Sequence, residues 1–263
     1  MFYPQGVDSP CGLARVACDR YGQAMTAPDF TKPFVLPVPA ATVERIGNVD
    51  LYLPVATGPA PAIVFVHGGP LPAALTPRPR DWPVFQGYAA LAADQGAFGV
   101  TLNHGFHEPH DLAVGAADIG AAVELVRADP RVDPDRIALW FFSGGGLLAG
   151  DWLRNPPSWL RCVGLTYPLL GELPNWPLEE RWRADLAVAG SGRLPIVLTR
   201  VGREAPQIAV TVTAFTDAAE AAGANLEIID VPNGRHSFDL LDHTDESRAA
   251  VQQAMTLMIN ALA

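Results

Sequence analysis

Ser143 lies between a predicted strand and a predicted helix, a position that suits a nucleophile. The apolar run that ends at Phe142 is followed directly by Ser143 and three glycines, and a helical pattern begins at Leu147. A serine on a tight turn between a strand and a helix has its hydroxyl lifted clear of the sheet. The first N–H groups of the helix then point towards whatever that hydroxyl attacks. The alternative is a glycine-rich turn whose serine only caps the helix, and the pattern by itself leaves both interpretations open.

Two other residues supply what a serine nucleophile requires. His236 comes a few residues after the apolar run from Leu226 to Val231, and histidine is the natural general base because its pKa lies near neutrality. Glu204 follows the run from Ile196 to Leu198 and is the candidate carboxylate that orients the imidazole and stabilises its charged form. Alone, Glu204 reads equally well as a surface residue at a helix start. The order serine, acid, histidine, each after a separate predicted strand, favours a catalytic triad.

A glycine-containing loop follows another buried run. The residues Ala62 to Val66 are continuously apolar and lead into His67-Gly68-Gly69-Pro70. Two glycines let the backbone approach a ligand closely, which suits an oxyanion hole. Proline has no N–H, so the donor must be Gly68, Gly69 or a residue beyond the proline. The alternative is an ordinary turn that ends a strand.

The elements that must position these residues alternate between strands and helices. Short apolar runs predict the strands, and apolar residues at steps of three and four predict helices from Leu112 to Val126 and from Val251 to Leu262. This alternation predicts a mostly parallel sheet covered by helices on both faces, an α/β fold. We expect residues 1–40 to form an irregular arm and residues 41–263 to form one domain. The remaining predictions are strands at 43–46, 49–53, 62–66, 98–102, 137–142, 162–166, 196–198 and 226–231, and helices at 82–93 and 208–222.

Four stretches of the chain resemble the α/β-hydrolase superfamily, and within it the dienelactone-hydrolase and acetyl-esterase-like branch. They are VFVHGGP, DPDRIALWFFSGGG, LPIVLTRVGRE and VPNGRHSFD, and they reach across about residues 60–240. The resemblance implies the α/β-hydrolase fold with a small cap or none. It also implies Ser143 as nucleophile, Glu204 as acid and His236 as base, with an oxyanion hole formed by the backbone N–H groups of Gly69 and Gly144.

The chain departs from the family pattern at two positions. Phe141 stands where the family has a small residue two positions before the nucleophile, and Glu204 stands where this branch more often has aspartate. Dienelactone hydrolases themselves use a cysteine nucleophile, so Ser143 points away from that activity.

The combined interpretation is a serine hydrolase that cleaves carboxylic esters of small or medium acyl groups through an acyl-enzyme, without a metal or organic cofactor. The same triad suits a peptidase, a thioesterase or a lactone hydrolase equally well, because fold and triad do not decide the substrate. The alternative from another class is a non-catalytic ligand-binding protein on a hydrolase scaffold, which Phe141 at the turn favours.

Three histidines at three-residue spacing follow the run from Phe98 to Leu102. They are His104, His107 and His110, and imidazole is a good ligand for Zn²⁺. The segment also contains a glycine and a proline, so it is a loop in which the spacing has no helical meaning. We therefore predict no metal here and expect the first two histidines to line a substrate pocket.

Other substrate contacts are expected near the same edge of the sheet. The segment 168–192 lies where the superfamily inserts its cap, and its apolar residues, Trp176 among them, are expected to form a small lid. The residues predicted to bind substrate are His67, Gly68, His104, His107, Phe142 and Trp176.

The net charge and the distribution of apolar residues indicate which binding partners the protein is expected to have. The net charge of −10 gives a nucleic-acid role almost no electrostatic support, and no stretch approaches the roughly 18 uninterrupted apolar residues that span a membrane. The N-terminus lacks the basic and apolar regions of a signal peptide. We therefore expect a cytoplasmic protein, monomeric or homodimeric, that acts on a small-molecule ester and binds neither nucleic acid nor membrane.

Overall fold

Eight strands form one sheet in the computed structural model, which describes residues 29–263. Their order across the sheet is β1-β2-β4-β3-β5-β6-β7-β8. The pairs β1–β2 and β2–β4 are antiparallel and the other five pairs are parallel, so the predicted mostly parallel sheet is confirmed. The strands are β1 Thr42–Ile46, β2 Val49–Leu53, β3 Ala60–Val66, β4 Phe98–Leu102, β5 Val132–Phe142, β6 Leu160–Thr166, β7 Ile196–Arg203 and β8 Leu226–Arg235.

Both faces of the sheet are apolar and are covered by helices. Successive residues of the central strands point alternately into two apolar clusters, one on each face. In β5, Leu139 and Phe141 belong to one cluster, whereas Trp140 and Phe142 belong to the other. A strand buried in this way must be apolar at every position. The helices are α1 Pro83–Asp94, α2 Leu112–Arg127, α3 Gly150–Arg154, α4 Ala184–Ala187, α5 Pro206–Ala222, α6 Phe238–Leu241 and α7 Asp245–Ala261. Helices α2 and α5 pack on the Phe141 face, and α1 and α7 pack on the Phe142 face.

Part of the predicted arm falls within the described residues. Phe30 and Phe34 are buried against α1, where Phe30 stacks on Trp82 with ring centroids 4.8 Å apart. Residues 1–28 lie outside the described residues, so the arm as a whole stays a prediction. Between 29 and 263, no helix has the length and the apolar character needed to cross a membrane.

The segment between β6 and β7 forms no separate cap. Leu170 and Trp182 are buried in the core cluster on the Phe141 face, and Trp176 is partly buried against the same cluster. The segment contains only α4 and two short 3₁₀ turns, Glu180–Trp182 and Val188–Gly190. It therefore closes one side of the sheet instead of standing over it as a lid domain.

The strand order places two of the candidate loops side by side. The chain passes from β3 to β4 on one side and then crosses to β5 on the other side of β3. In open α/β sheets, ligands bind at such a reversal, outside the carboxyl ends of the strands. The loop that begins at His67 and the turn at Ser143 follow these two neighbouring strands.

The last two strands are longer than the sequence predicts and slip in register. The strand β7 advances two residues from Val201 to Arg203, while β8 advances four from Val231 to Arg235. The slip occurs at Gly202, where an added Cβ would lie 2.2 Å from the carbonyl oxygen of Pro232. The pairing of Arg203 with Arg235 then puts the next residues of the two strands, Glu204 and His236, opposite each other.

We predict that Gly202→Ala moves Pro232 away and spoils this alignment. Overpacking of this kind typically costs about 1–3 kcal/mol of stability. Urea unfolding of Gly202→Ala measures the loss. The control is Gly120→Ala, because Gly120 lies inside α2 with no atom within 4 Å of an added Cβ. The control is expected to be neutral or to gain up to about 1 kcal/mol from helix propensity. Equal stability of Gly202→Ala and the wild type would contradict the interpretation of the slip.

Candidate active site

Ser143 lies on a strained turn directly after β5. Its φ of 53° falls in the left-handed region that residues with a Cβ rarely adopt, at a typical cost of about 1–3 kcal/mol. The side chain is partly exposed, whereas Phe142 and Gly144 on either side are buried. The hydroxyl is therefore accessible at the edge of the sheet.

The three glycines after Ser143 are required by the main chains that pack against them. An added Cβ would lie within 2.6 Å of a carbonyl oxygen at each position: that of Gly69 for Gly144, of His67 for Gly145 and of Leu169 for Gly146. Helical structure does follow the serine, as predicted, but residues 143–149 form a 3₁₀ helix, which already begins at Ser143. Glycine is a poor α-helix former, and the α-helix begins only at Gly150.

The structure brings the three candidate residues together in a hydrogen-bonded chain. The Ser143 Oγ lies 2.7 Å from His236 Nε2, and His236 Nδ1 lies 2.7 Å from Glu204 Oε2. A carboxylate only accepts hydrogen bonds, so Nδ1 carries the proton and Nε2 accepts the bond from the serine hydroxyl. The Glu204 side chain is 5% exposed, and its other oxygen accepts a bond from the backbone N–H of Ala205 at 2.8 Å.

Two residues that the sequence did not single out support His236. The ring of Tyr167 lies 4.9 Å from the imidazole, centroid to centroid, and its hydroxyl donates to the carboxylate of Asp239 at 2.9 Å. Tyr88 donates to the same carboxylate at 3.0 Å. Burial raises the pKa of Asp239 to about 6, against the lowering effect of the two tyrosine hydroxyls. The sequence shows only that Tyr167 directly follows a predicted strand and that Asp239 lies three residues after His236. Their contact with each other becomes visible only in the folded structure.

The oxyanion-loop candidates Gly68 and Gly69 lie against the nucleophile. An added Cβ on Gly68 would be 2.9 Å from Ser143 Cβ and 3.3 Å from Ser143 Oγ. An added Cβ on Gly144 would be 3.2 Å from the backbone nitrogen of Gly69. The peptide of Gly69 and the residue after the nucleophile are therefore immediate neighbours.

His67 and His104 lie beneath this loop and not in a pocket. Both residues are nearly fully buried, and their rings stack with centroids 3.6 Å apart. Every ring nitrogen has a partner: His67 Nδ1 with Gly68 O, His67 Nε2 with His104 N, His104 Nε2 with His67 O, and His104 Nδ1 with Phe106 N. No ring nitrogen of His67 or His104 is left to bond a substrate. The two histidines, which the sequence predicted to contact substrate, instead support the loop above them.

The other predicted substrate contacts divide between the site and the core. His107 is half-buried and contacts the carbonyl of Leu71 beside the loop, and Trp176 packs on Phe106 with centroids 6.2 Å apart. Phe106 in turn lies against Gly69. Phe142, in contrast, packs in the core among Phe65, Tyr88, Trp140 and Tyr167, so its buried ring has no access to a substrate.

Within residues 29–263, no group of three or more metal-ligating side chains is placed to hold an ion. His104 is buried, whereas His110 is exposed and lies beside Asp111, so the histidines of this loop do not converge.

A cavity of about 440 Å³ lies at the amino ends of β6 and β7, lined in part by Arg161 and Arg193. It is at the opposite edge of the sheet from Ser143 and takes no part in the candidate site.

Solved structures with a similar fold include esterases. The esterase Est2 of Thermogutta terrifontis with propionate bound has a TM-score of 0.62 at 20% identity, over 84% of this chain and 94% of that chain. The carboxylesterase EstE1, from a metagenomic library, has a TM-score of 0.71 at 17% identity, over 97% of this chain and 98% of that chain. The sequence matches no protein-family model and no curated protein. The chain has the α/β-hydrolase fold, and its place in the dienelactone-hydrolase branch stays a prediction.

The pKa of Asp239 predicts an unusual pH dependence of stability. Because the pKa is about 6 in the folded protein against 3.8 for a free carboxyl, the folded state binds the proton more tightly. This contribution is therefore present at low pH and is lost as the pH rises through about 6. The stability of the wild type relative to Asp239→Asn should fall by about 2 kcal/mol between pH 4.5 and 7.5.

Urea unfolding of both proteins at the two pH values measures this change. Comparing the two proteins cancels the opposite slope of the buried histidines, which both contain. A constant difference between wild type and variant would contradict the raised pKa.

Proposed function

We propose that the protein is a serine hydrolase that cleaves carboxylic esters of small or medium acyl groups through an acyl-enzyme. The observation that carries the proposal is the chain of two 2.7 Å hydrogen bonds from Ser143 through His236 to Glu204. A serine, a histidine and a buried carboxylate in this arrangement are what nucleophilic acyl transfer requires.

In the first half of the reaction, Ser143 attacks the ester carbonyl while His236 Nε2 takes the hydroxyl proton. The imidazolium is stabilised by Glu204, which is nearly buried and holds Nδ1–H at 2.7 Å. The carbonyl becomes a tetrahedral oxyanion, and His236 then donates its proton to the departing alkoxide. The products of this half are the free alcohol and an ester between Ser143 and the acyl group.

We assign the oxyanion hole to the backbone N–H groups of Gly69 and Gly144. The close packing of these two residues beside Ser143 supports the assignment, because the hole must face the attacked carbonyl. Water, deprotonated by the same histidine, then attacks the acyl-enzyme. The bond between Ser143 Oγ and the acyl carbon breaks, His236 returns the proton to Oγ, and the acid leaves. No step needs a metal or an organic cofactor.

The acyl size is proposed on the surroundings of the site and on the structural neighbours. The segment between β6 and β7 packs into the core, and its Trp176 lies against Phe106, whose ring in turn lies against Gly69. Est2 has been solved with propionate and with butyrate bound and also phosphorylated by paraoxon. Acyl chains of similar length are therefore the first substrates to test.

The binding-protein alternative loses the observation that favoured it. The Phe141 side chain is fully buried on one face of the sheet, still within β5 and paired with Val66 and Leu165. The turn that follows keeps Ser143 in contact with His236. The bulky residue is accommodated by the core and does not displace the nucleophile.

We predict that Ser143→Ala abolishes the hydrolysis of p-nitrophenyl butyrate and that Glu204→Gln lowers kcat by about 10³- to 10⁴-fold. Glutamine preserves the shape but not the charge that stabilises the imidazolium, and the analogous change in well-studied triads has an effect of this size. Glu220→Gln is the matched control, because Glu220 is exposed on α5. Wild-type kcat in Glu204→Gln would contradict the proposed acid.

The same assay, run with acetyl, butyryl and dodecanoyl esters, tests the acyl size. We expect kcat/KM to be highest for the two short esters. A preference for the dodecanoyl ester would contradict the small acyl pocket, whereas activity on a thioester or an anilide above that on the esters would change the reaction class.

A further inference from the structure

Loop 67–71, the oxyanion loop, is joined to segment 104–107 by hydrogen bonds at both ends. At the first end, His104 Nε2 donates to the carbonyl of His67 at 3.0 Å, and the backbone N–H of His104 contacts His67 Nε2 at 3.4 Å. At the other end, His107 Nδ1 donates to the carbonyl of Leu71 at 2.8 Å. The N–H of Leu71 donates to the carbonyl of Phe106 at 3.2 Å.

The hydrogen bonds of His67 and His104 require both imidazole rings to be neutral. A carbonyl only accepts, so His67 Nδ1 and His104 Nε2 carry protons, while the other nitrogen of each ring accepts from a backbone N–H. Burial lowers the pKa of His104 to about 4, against the raising effects of its hydrogen bond to the His67 carbonyl and of Asp118, and burial lowers the pKa of His67 well below its usual value. Two uncharged rings can stack at 3.6 Å, whereas two cations would repel.

Segment 104–107 is itself fixed to the fold. The N–H of Gly105 donates to Asp118 Oδ2 at 2.7 Å, and Asp118 belongs to α2. The Phe106 ring is fully buried and lies against Gly69, where an added Cβ would be 2.5 Å from the ring. Rigid support thus runs from α2 through the histidines to the loop beside Ser143.

We propose that His104 and His107 are positioning residues that hold the oxyanion loop at its two ends. The inference rests on the proposed function, because it gives the clamped loop the role of presenting an N–H group to the tetrahedral intermediate. In this role neither histidine needs to contact the substrate. Their effect falls on the transition state, since the loop must be held before the oxyanion forms.

The test uses His107→Leu, which removes the donor to Leu71, and His107→Asn, whose amide nitrogen replaces Nδ1. The matched control is His110→Leu, because the His110 side chain is exposed on the same loop and its imidazole faces Asp111 at 3.6 Å. We expect His107→Leu to lower kcat by about 10- to 100-fold, below the full cost of losing an oxyanion donor, with KM nearly unchanged. His107→Asn should recover most of the rate.

A second readout is the inhibition constant of a trifluoromethyl ketone, whose hemiketal oxyanion occupies the hole. It should rise in His107→Leu by the same factor as kcat falls. A rate loss that merely follows the fraction of protein titrated by a fluorophosphonate, with an unchanged inhibition constant, would overturn the inference. Wild-type kinetics in His107→Leu would also overturn it.

Hydrogen exchange of residues 67–71 separates this inference from the proposed function. Exchange should be faster in His107→Leu than in the wild type and unchanged in His107→Asn and His110→Leu. An inactive wild type would contradict the proposed function, and the exchange rates would still decide whether the clamp exists. His107→Ala replaces the leucine variant if that variant fails to fold.

Discussion

The close approach of three main-chain segments at Ser143 is the constraint on which the rest of the candidate site depends. The glycines after the nucleophile lie against the carbonyls of Gly69, His67 and Leu169, so no side chain fits between these segments. The left-handed backbone of Ser143 turns the chain sharply enough to make this packing possible. One junction therefore fixes Ser143, the loop at Gly68 and Gly69, and the start of the segment between β6 and β7.

The proposed acid and base, Glu204 and His236, are positioned by a different feature. They follow β7 and β8, the last two strands of the sheet, and β6 lies between β7 and β5. The register slip at Gly202 places Glu204 and His236 opposite each other, and the ring of Tyr167, the residue directly after β6, lies against the imidazole of His236. The left-handed backbone of Ser143 and the complete burial of the Asp239 carboxyl are local costs to stability.

Much of the architecture is predictable because it depends on local pattern. Continuous apolar runs predict central strands, and helical periodicity predicts α2 to within one residue, whereas α7 begins six residues before its predicted start at Val251. The placement of Ser143, Glu204 and His236 after three such runs is enough to predict that they meet. These inferences need only the order of the elements and the rule that parallel strands share an edge.

The remaining features depend on contacts between distant parts of the chain. The slip between Gly202 and Pro232 is a steric event between two strands, so the predicted β8 ends four residues too early, at Val231. His67 and His104 lie 37 residues apart in the sequence. Their spacing cannot show that the two rings stack, or that each ring forms a hydrogen bond with the backbone of the other residue. Asp239 likewise gains its significance from Tyr88, which is 151 residues away.

The most direct test of the central claim is the reaction of the folded protein with a fluorophosphonate, followed by intact mass and peptide mapping. The proposed mechanism predicts one adduct per chain, carried by Ser143 and absent from Ser143→Ala. No adduct on a folded wild type, or an adduct that persists in Ser143→Ala, would contradict Ser143 as the nucleophile.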